Sequence, residues 1–227
     1  MERAPLALCS HCGRKSRRCV CPFLRKTPLS LSTQLTLLQT DEEWNHPKNT
    51  GAILIGSLTT AQRLPIRLKG GEVGDACGEL ARSMDTRSVF LLYPTHEETE
   101  DTELWARCAE EPSPHLLLID TTWRQSLRLY RQSALIRALP HLSLPIEAFT
   151  QLERCGGARY HTLRTGPKKS QNKLSTFEAG LLALAWLEKE KCGSFSKAWE
   201  LLEPLWEQYD HWVKALSQQF KRARAER

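Results

Sequence analysis

No apolar run in the 227 residues approaches the roughly 20 consecutive apolar positions that a bilayer-spanning helix requires. The amino end carries Cys9 and Cys12 where a secretory leader would need an uninterrupted apolar stretch. A soluble, cytoplasmic protein with no membrane association is expected. Internal repeats and low-complexity tracts are missing as well, which excludes solenoids and compositionally driven disorder. No Gly-x-Gly-x-x-Gly follows an apolar strand, so a Rossmann-type nucleotide site is not indicated. Net charge is also missing from most of the chain. Of 32 Lys/Arg and 26 acids overall, seven Lys/Arg against Glu2 alone fall in the first 26 residues, and they account for the whole formal charge of +6.

What is present is unevenly distributed. Arg154 to Lys173 holds six Lys/Arg and no acid, and Lys214 to Arg227 holds five Lys/Arg against Glu226. Thr95 to Glu111 is the reverse, with seven acids and only Arg107. Concentrated positive charge suits a partner bearing phosphates, although a basic carboxyl-terminal tail is also an ordinary solvated helix face. With 41% hydrophobic residues one substantial core is affordable, with a small appended module.

That module is expected in residues 1–30, with the main domain in 31–227. Cys9 and Cys12 form C-x2-C, and Cys19 and Cys21 form C-x-C after six intervening residues. Two close pairs across a short loop can wrap four sulfurs tetrahedrally around one structural zinc ion. A disulfide pair and unliganded thiols are the competing readings, the first disfavoured in a reducing compartment. A closed four-thiolate site leaves no coordination position for a substrate, so metal here would shape a surface rather than react. Arg14, Lys15, Arg17 and Arg18 lie on the intervening loop and would face phosphates. Cys77, Cys108, Cys155 and Cys192 have no ligand spacing.

Strands alternate with helical patterns along the rest, which implies an α/β fold with a mainly parallel sheet. Leu35 to Leu38, Ala52 to Ile55, Ser88 to Tyr93, Leu116 to Ile119 and Leu142 to Leu144 read as strands. Helices are expected over Glu97 to Glu110, Thr121 to Leu139, Ser175 to Lys191 and Phe195 to Phe220, with a long connection from Phe149 to Lys173. The most informative junction is His115 to Arg124. An apolar run there stops at Asp120-Thr121-Thr122-Trp123 and a helix pattern follows, the position at which open α/β sheets hold ligands. Asp120 would emerge at a strand's carboxyl end; alternatively Asp120 or Thr121 only caps the helix. Ser175-x-x-Glu178 fits a capping box, and its helix amino end could also hold a ligand carboxylate.

Asp120-Thr121-Thr122-Trp123 resembles the Asp-x-Thr-Trp signature of the DTW-domain proteins, tRNA-uridine aminocarboxypropyltransferases related in fold to the knotted SPOUT RNA methyltransferases. The likeness continues in order through the paired cysteines, His46-Pro47-Lys48-Asn49-Thr50, Leu92-Tyr93-Pro94 and Leu174-Ser175-Thr176-Phe177-Glu178-Ala179. One departure is visible, since extra residues expected between His-Pro and Asn-Thr are missing. The resemblance implies a SPOUT-like fold with a trefoil knot. It also implies transfer of the 3-amino-3-carboxypropyl group of S-adenosylmethionine to N3 of a tRNA uridine, in the variable loop, with methylthioadenosine released.

On that reading Asp120 is the base that takes the N3 proton, Thr122 orients it or bonds the donor, and Trp123 stacks on a base or walls the pocket. The donor would be held near Thr50, Ser57, Leu92, Tyr93, Pro94, Ile119, Ser175, Thr176 and Glu178. Arg17, Arg18, Lys48, Arg124, Arg159, Arg164, Lys168 and Lys169 would contact RNA. A monomer without an obligate protein partner is expected. The alternatives are a SPOUT-type RNA methyltransferase on the same donor, and a non-catalytic zinc-containing RNA-binding protein, which would leave Asp120 and Trp123 without a role.

Overall fold

The computed structural model describes residues 7–69, 72–73, 88–94, 102–163 and 174–225. Five strands, β1 Gln34–Gln39, β2 Ala61–Pro65, β5 Val89–Leu92, β6 His115–Asp120 and β7 His141–Leu142, form one all-parallel sheet in the order β2-β1-β6-β5-β7. The two-residue strands β3 Leu68–Lys69 and β4 Glu72–Val73 pair separately and antiparallel. Eight helices are described: α1 Asp41–Trp44, α2 Gly51–Ser57, α3 Thr102–Glu110, α4 Trp123–Gln132, α5 Ala134–Ala138, α6 Ile146–Arg154, α7 Thr176–Cys192 and α8 Phe195–Ala225.

Period-two alternation along the inner strands divides the core. Leu35, Leu37, Phe90, Leu116 and Leu118 face one side with α2, α3, α6, α7 and α8, whereas Leu38, Val89, Leu91 and Leu117 face the other with Leu129 of α4 and Ile136 of α5. Both faces are covered, which is why these strands read as near-continuous apolar runs. Truncating any fully buried leucine among them to alanine should cost about 2–5 kcal/mol. α7 lies between the sheet and α8 and is buried around most of its circumference. Its start is fixed by a capping box: Ser175 Oγ accepts from Glu178 N (3.2 Å) while Glu178 Oε2 accepts from Ser175 N (2.7 Å). Its end is a left-handed Gly193.

Three expectations need correction. Ala52 to Ile55 is not a strand but the middle of α2; a short buried apolar run serves either element, and Asn49 Oδ1, accepting from Ala52 N at 2.7 Å, starts the helical turn. Thr121 to Leu139 is two helices, because the Ser133 hydroxyl accepts from Ile136 N (3.1 Å) and begins a new one. The connection after Phe149 is helical through Arg154 and contains a 3-10 turn over Tyr160–Leu163. The edge strand β2 had no sequence expectation; its partly exposed faces and terminal Pro65 carry little apolar signal.

The cysteine-bearing segment is tied to the main core. Val20 is buried within it, the Phe23 ring meets His211 of α8 edge-on at 5.5 Å, and Leu29 bridges to Leu58. Apolar contact therefore contributes to holding this segment alongside any metal.

Candidate active site and metal centre

At the carboxyl end of the sheet the loops following β5, β6 and β7 converge with the start of α7 around a cleft of about 1820 Å³. Leu92, Tyr93 and Pro94 come from the first loop, Asp120 to Trp123 from the second, Leu142 to Pro145 from the third, and Ser175 and Thr176 from the helix start. Glu43 of α1 and His46, Lys48 and Thr50 of the α1–α2 connection add to the wall, which extends along α3, α6 and the far part of α7.

Asp120 ends β6 opposite Gln39, the last residue of β1. It is only 6% exposed. Its Oδ1 accepts from the Thr176 hydroxyl at 2.6 Å, and its Oδ2 accepts from Gln39 Nε2 and, at 3.4 Å, from Asn49 Nδ2. Gly51 makes this approach possible, because a Cβ there would collide with Asp120 Oδ2 and Leu37 Cδ1. Burial pushes the Asp120 carboxyl up to about 6, with a further push from Glu43, against the opposing bonds from Thr176, Gln39 and Asn49. The result is a desolvated carboxylate held from three elements, ionised at neutral pH and more basic than an ordinary aspartate.

The remaining expected site residues divide into those at the cleft and those elsewhere. Thr50, Leu92, Tyr93, Pro94, Ile119, Thr122, Trp123, Ser175, Thr176 and Lys48 line it. Trp123 is 54% exposed, unusual for an indole. The Thr122 side chain caps α4 by accepting from Gln125 N at 3.4 Å, so the hydroxyl that orients Asp120 is that of Thr176. Ser57 lies away from the cleft and donates to Gln208 Oε1 at 3.2 Å. Glu178 is fully buried, and its carboxylate accepts from the backbone N–H groups of Arg159 (2.6 Å), Tyr160 (2.9 Å) and Ser175, which leaves it facing protein on every side. Arg159 pairs with Asp210 (3.0 Å), donates to the carbonyls of Gly156 and Gly157, and covers the Trp206 ring. Arg17 and Arg124 are exposed, and Arg18 donates to the Asn45 carbonyl. Arg164, Lys168 and Lys169 lie outside the described residues.

Gln39, Glu43 and Asn49 were not anticipated. Asn49 had a signal, since it stands in the His-Pro-Lys-Asn-Thr block; Gln39 is the polar stop of an apolar run, just as Asp120 is.

The four cysteines Cys9, Cys12, Cys19 and Cys21 bring their sulfurs within 4.8 Å of one another. The separations of 3.8 Å for Cys9 to Cys21 and Cys12 to Cys19, and 3.5 Å for Cys9 to Cys19, are too long for disulfides. They match the roughly 3.8 Å edge of a tetrahedron whose centre lies about 2.3 Å from each sulfur. Backbone N–H groups of Cys12 and His11 draw the Cys9 thiol down to about 6, whereas burial pushes the Cys19 and Cys21 thiols up. Arg14 supplies an independent check. It is 1% exposed, and only one guanidinium nitrogen is engaged by a neighbouring carbonyl, that of His46 at 2.9 Å. Its Nε and Nη1 are buried without a hydrogen-bond partner among the described residues, and burial pushes its pKa down, with the Cys12 and Cys19 sulfurs opposing. A buried cation with orphaned donors beside four clustered sulfurs fits a site that becomes a metal–thiolate cluster of net negative charge when a metal binds.

A parallel α/β chain with a desolvated carboxylate at its strand ends, facing a large cleft, and with four clustered cysteines able to hold a metal has the features of a ligand-binding protein equipped for chemistry. The chain belongs to the DTW domain family, whose model matches residues 6–223. It is similar to tRNA-uridine aminocarboxypropyltransferase 2 of Mus musculus, 28% identical over 191 residues, which cover 84% of this chain and 59% of that protein. The protein of the same name from Macaca fascicularis is 29% identical over 182 residues (80% and 56%), and that from Drosophila melanogaster 26% over 181 residues (79% and 66%). The chain thus spans less than two thirds of the length of these curated relatives. No solved structure matches it.

Proposed function

We propose that the protein is a tRNA-uridine aminocarboxypropyltransferase, moving the 3-amino-3-carboxypropyl group of S-adenosylmethionine to N3 of a tRNA uridine in the variable loop. The observation that carries this reading is Asp120, a buried carboxylate pushed up to about 6 in the wall of a large cleft, in a family whose similar members bear that name.

S-adenosylmethionine supplies a sulfonium whose attached carbons are open to displacement. The task of the chain is to choose the γ-carbon of the aminocarboxypropyl arm over the methyl by orientation. Uridine N3 is a weakly acidic imide and attacks well only as its proton leaves. Asp120 takes that proton, its basicity raised by burial and its two oxygens aimed by Thr176, Gln39 and Asn49. Trp123, half exposed beside it, gives an aromatic face for a nucleobase. Leu92, Tyr93, Pro94, Ile119, Ser175 and Thr176 wall the donor, and the amino end of α7 suits its carboxylate.

The metal is zinc in a closed structural site, which carries no step of the reaction. Exposed Arg17 and Arg124 contact RNA phosphates, with Lys48, Arg164, Lys168 and Lys169. Glu178, by contrast, acts by holding the backbone N–H groups of Arg159, Tyr160 and Ser175, and the Arg159 side chain by holding the carbonyls of Gly156 and Gly157. The SPOUT-like knotted fold is part of the same reading, supported by the all-parallel sheet and the three loops meeting at one cleft.

Incubation with S-adenosylmethionine and undermodified tRNA, followed by mass spectrometry, tests the reading. Aminocarboxypropyluridine with methylthioadenosine is the expected pair of products. Methyluridine with adenosylhomocysteine would replace it with methyl transfer, and no product with no donor binding by calorimetry would leave an RNA-binding protein.

A further inference from the structure

His46 stands on the connection between α1 and α2 and lines the same cleft as Asp120. Its ring is 49% exposed, whereas its backbone is fixed from the cysteine-bearing segment: Arg14 donates to the His46 carbonyl at 2.9 Å and Arg18 to that of Asn45. The ring orientation is also determined. Its Nδ1 accepts from the Lys48 backbone N–H at 3.3 Å, and the Glu43 carboxylate lies 4.0 Å from Nδ1, beyond hydrogen-bond reach. A ring nitrogen that accepts an N–H bears no proton, so the neutral imidazole keeps its hydrogen on Nε2. Burial, together with Lys48, Arg18 and Arg14, holds the ring below its ordinary pKa, with Asp120 opposing, which favours the neutral imidazole. Among the described residues Nε2 has no protein partner. A donor of fixed tautomer is thus left without a protein partner on a half-exposed residue of the cleft wall.

On the transfer reading above, the substrate creates a need for such a donor. As N3 of uridine loses its proton, negative charge spreads onto the two flanking carbonyl oxygens of the uracil. A preorganised donor to one of them is stronger for the anion than for the neutral base, and therefore acts on the rate rather than on affinity. Asp120 on its own can accept the proton but cannot stabilise that charge.

We propose that His46 is a second catalytic residue, donating its Nε2–H to a carbonyl oxygen of the target uracil as N3 becomes anionic. The N3 proton passes to the Asp120 carboxylate, and the N3 electron pair forms the new bond to the γ-carbon of the donor's aminocarboxypropyl arm. The carbon–sulfur bond breaks with its pair on sulfur, and the sulfonium leaves as the neutral thioether methylthioadenosine. His46 keeps its proton throughout.

The test compares wild type, His46→Ala and His46→Gln in single-turnover reactions with S-adenosylmethionine and tRNA transcripts containing either uridine or 5-fluorouridine, whose imide is more acidic. With uridine, the alanine variant slows on the order of a hundredfold at saturating tRNA, while tRNA affinity is unchanged. Glutamine, which returns an N–H at similar reach, recovers most of the rate. With 5-fluorouridine, the alanine defect shrinks below about tenfold, because less charge needs stabilising. A defect of equal size on both substrates, or glutamine no better than alanine, overturns the assignment. So does normal turnover by the alanine variant. A wild-type protein that makes no aminocarboxypropyluridine defeats the transfer reading itself, and this inference with it.

Discussion

β6 carries a buried ionisable residue at each end, and the two behave differently. His115 at its start and Asp120 at its finish are 8% and 6% exposed, so burial alone does not separate them. The His115 ring is held below its usual pKa by burial and bonds Thr36 Oγ1 at 2.8 Å, with Gln62 donating to the same hydroxyl at 3.1 Å. Its burial favours the neutral ring, which the local bonds suit, and it is not at the cleft. Asp120 is pushed the other way, to about 6, and lines the cleft. In a parallel sheet every strand ends on the same side, so loops and helix starts accumulate there and leave space for a ligand. One end of the strand is finished structure, and the other is a carboxylate of raised pKa with room in front of it.

Breaking the reactive end should have the largest effect. Asp120→Asn should lower turnover on the order of a thousandfold with S-adenosylmethionine affinity retained by calorimetry, since the base is lost but the shape is kept. Thr176→Val should cost about tenfold in turnover. Because the lost bond had favoured the carboxylate, it should also move the acid limb of the pH–rate profile upward from about 6.

A stability measurement sharpens the contrast. A carboxyl whose folded pKa lies above its unfolded value binds its proton more tightly when folded. Asp120 therefore favours folding below the unfolded value near 3.9, and that contribution fades as pH rises through about 6. Denaturant titrations should show wild type losing up to about 3 kcal/mol across that window relative to Asp120→Asn. The smallest effect on activity is expected at the other end of the strand: His115→Gln should change turnover less than about twofold while costing about 1–2 kcal/mol of stability.

The same contrast explains what the sequence disclosed. Asp120 could be placed because an apolar run that ends in an acid before a helix pattern is a local signal, and the Ser175–Glu178 capping box and the four cysteines are local too. The partners of Asp120 were not legible. Gln39, Asn49 and Thr176 lie 81, 71 and 56 residues away along the chain, and only the register of β1 on β6 and the docking of α7 bring them together. Helix α2 was misread for a related reason, since Ala52 to Ile55 is apolar on all sides and its helical start depends on Asn49. Side-chain direction was equally hidden. Glu178 and Arg159 have the residue types of a ligand site, yet the fold turns both inward to hold backbone. Arg14, expected on a solvent-facing loop, is buried beside the thiols.

The most direct measurement is the single-turnover rate of aminocarboxypropyluridine formation from pH 5 to 8, in wild type and Asp120→Asn. The account predicts a wild-type rate that rises through about 6 and a variant that is slow and flat across the range. A pH-independent wild-type rate, or a variant that retains near-normal turnover, would contradict it.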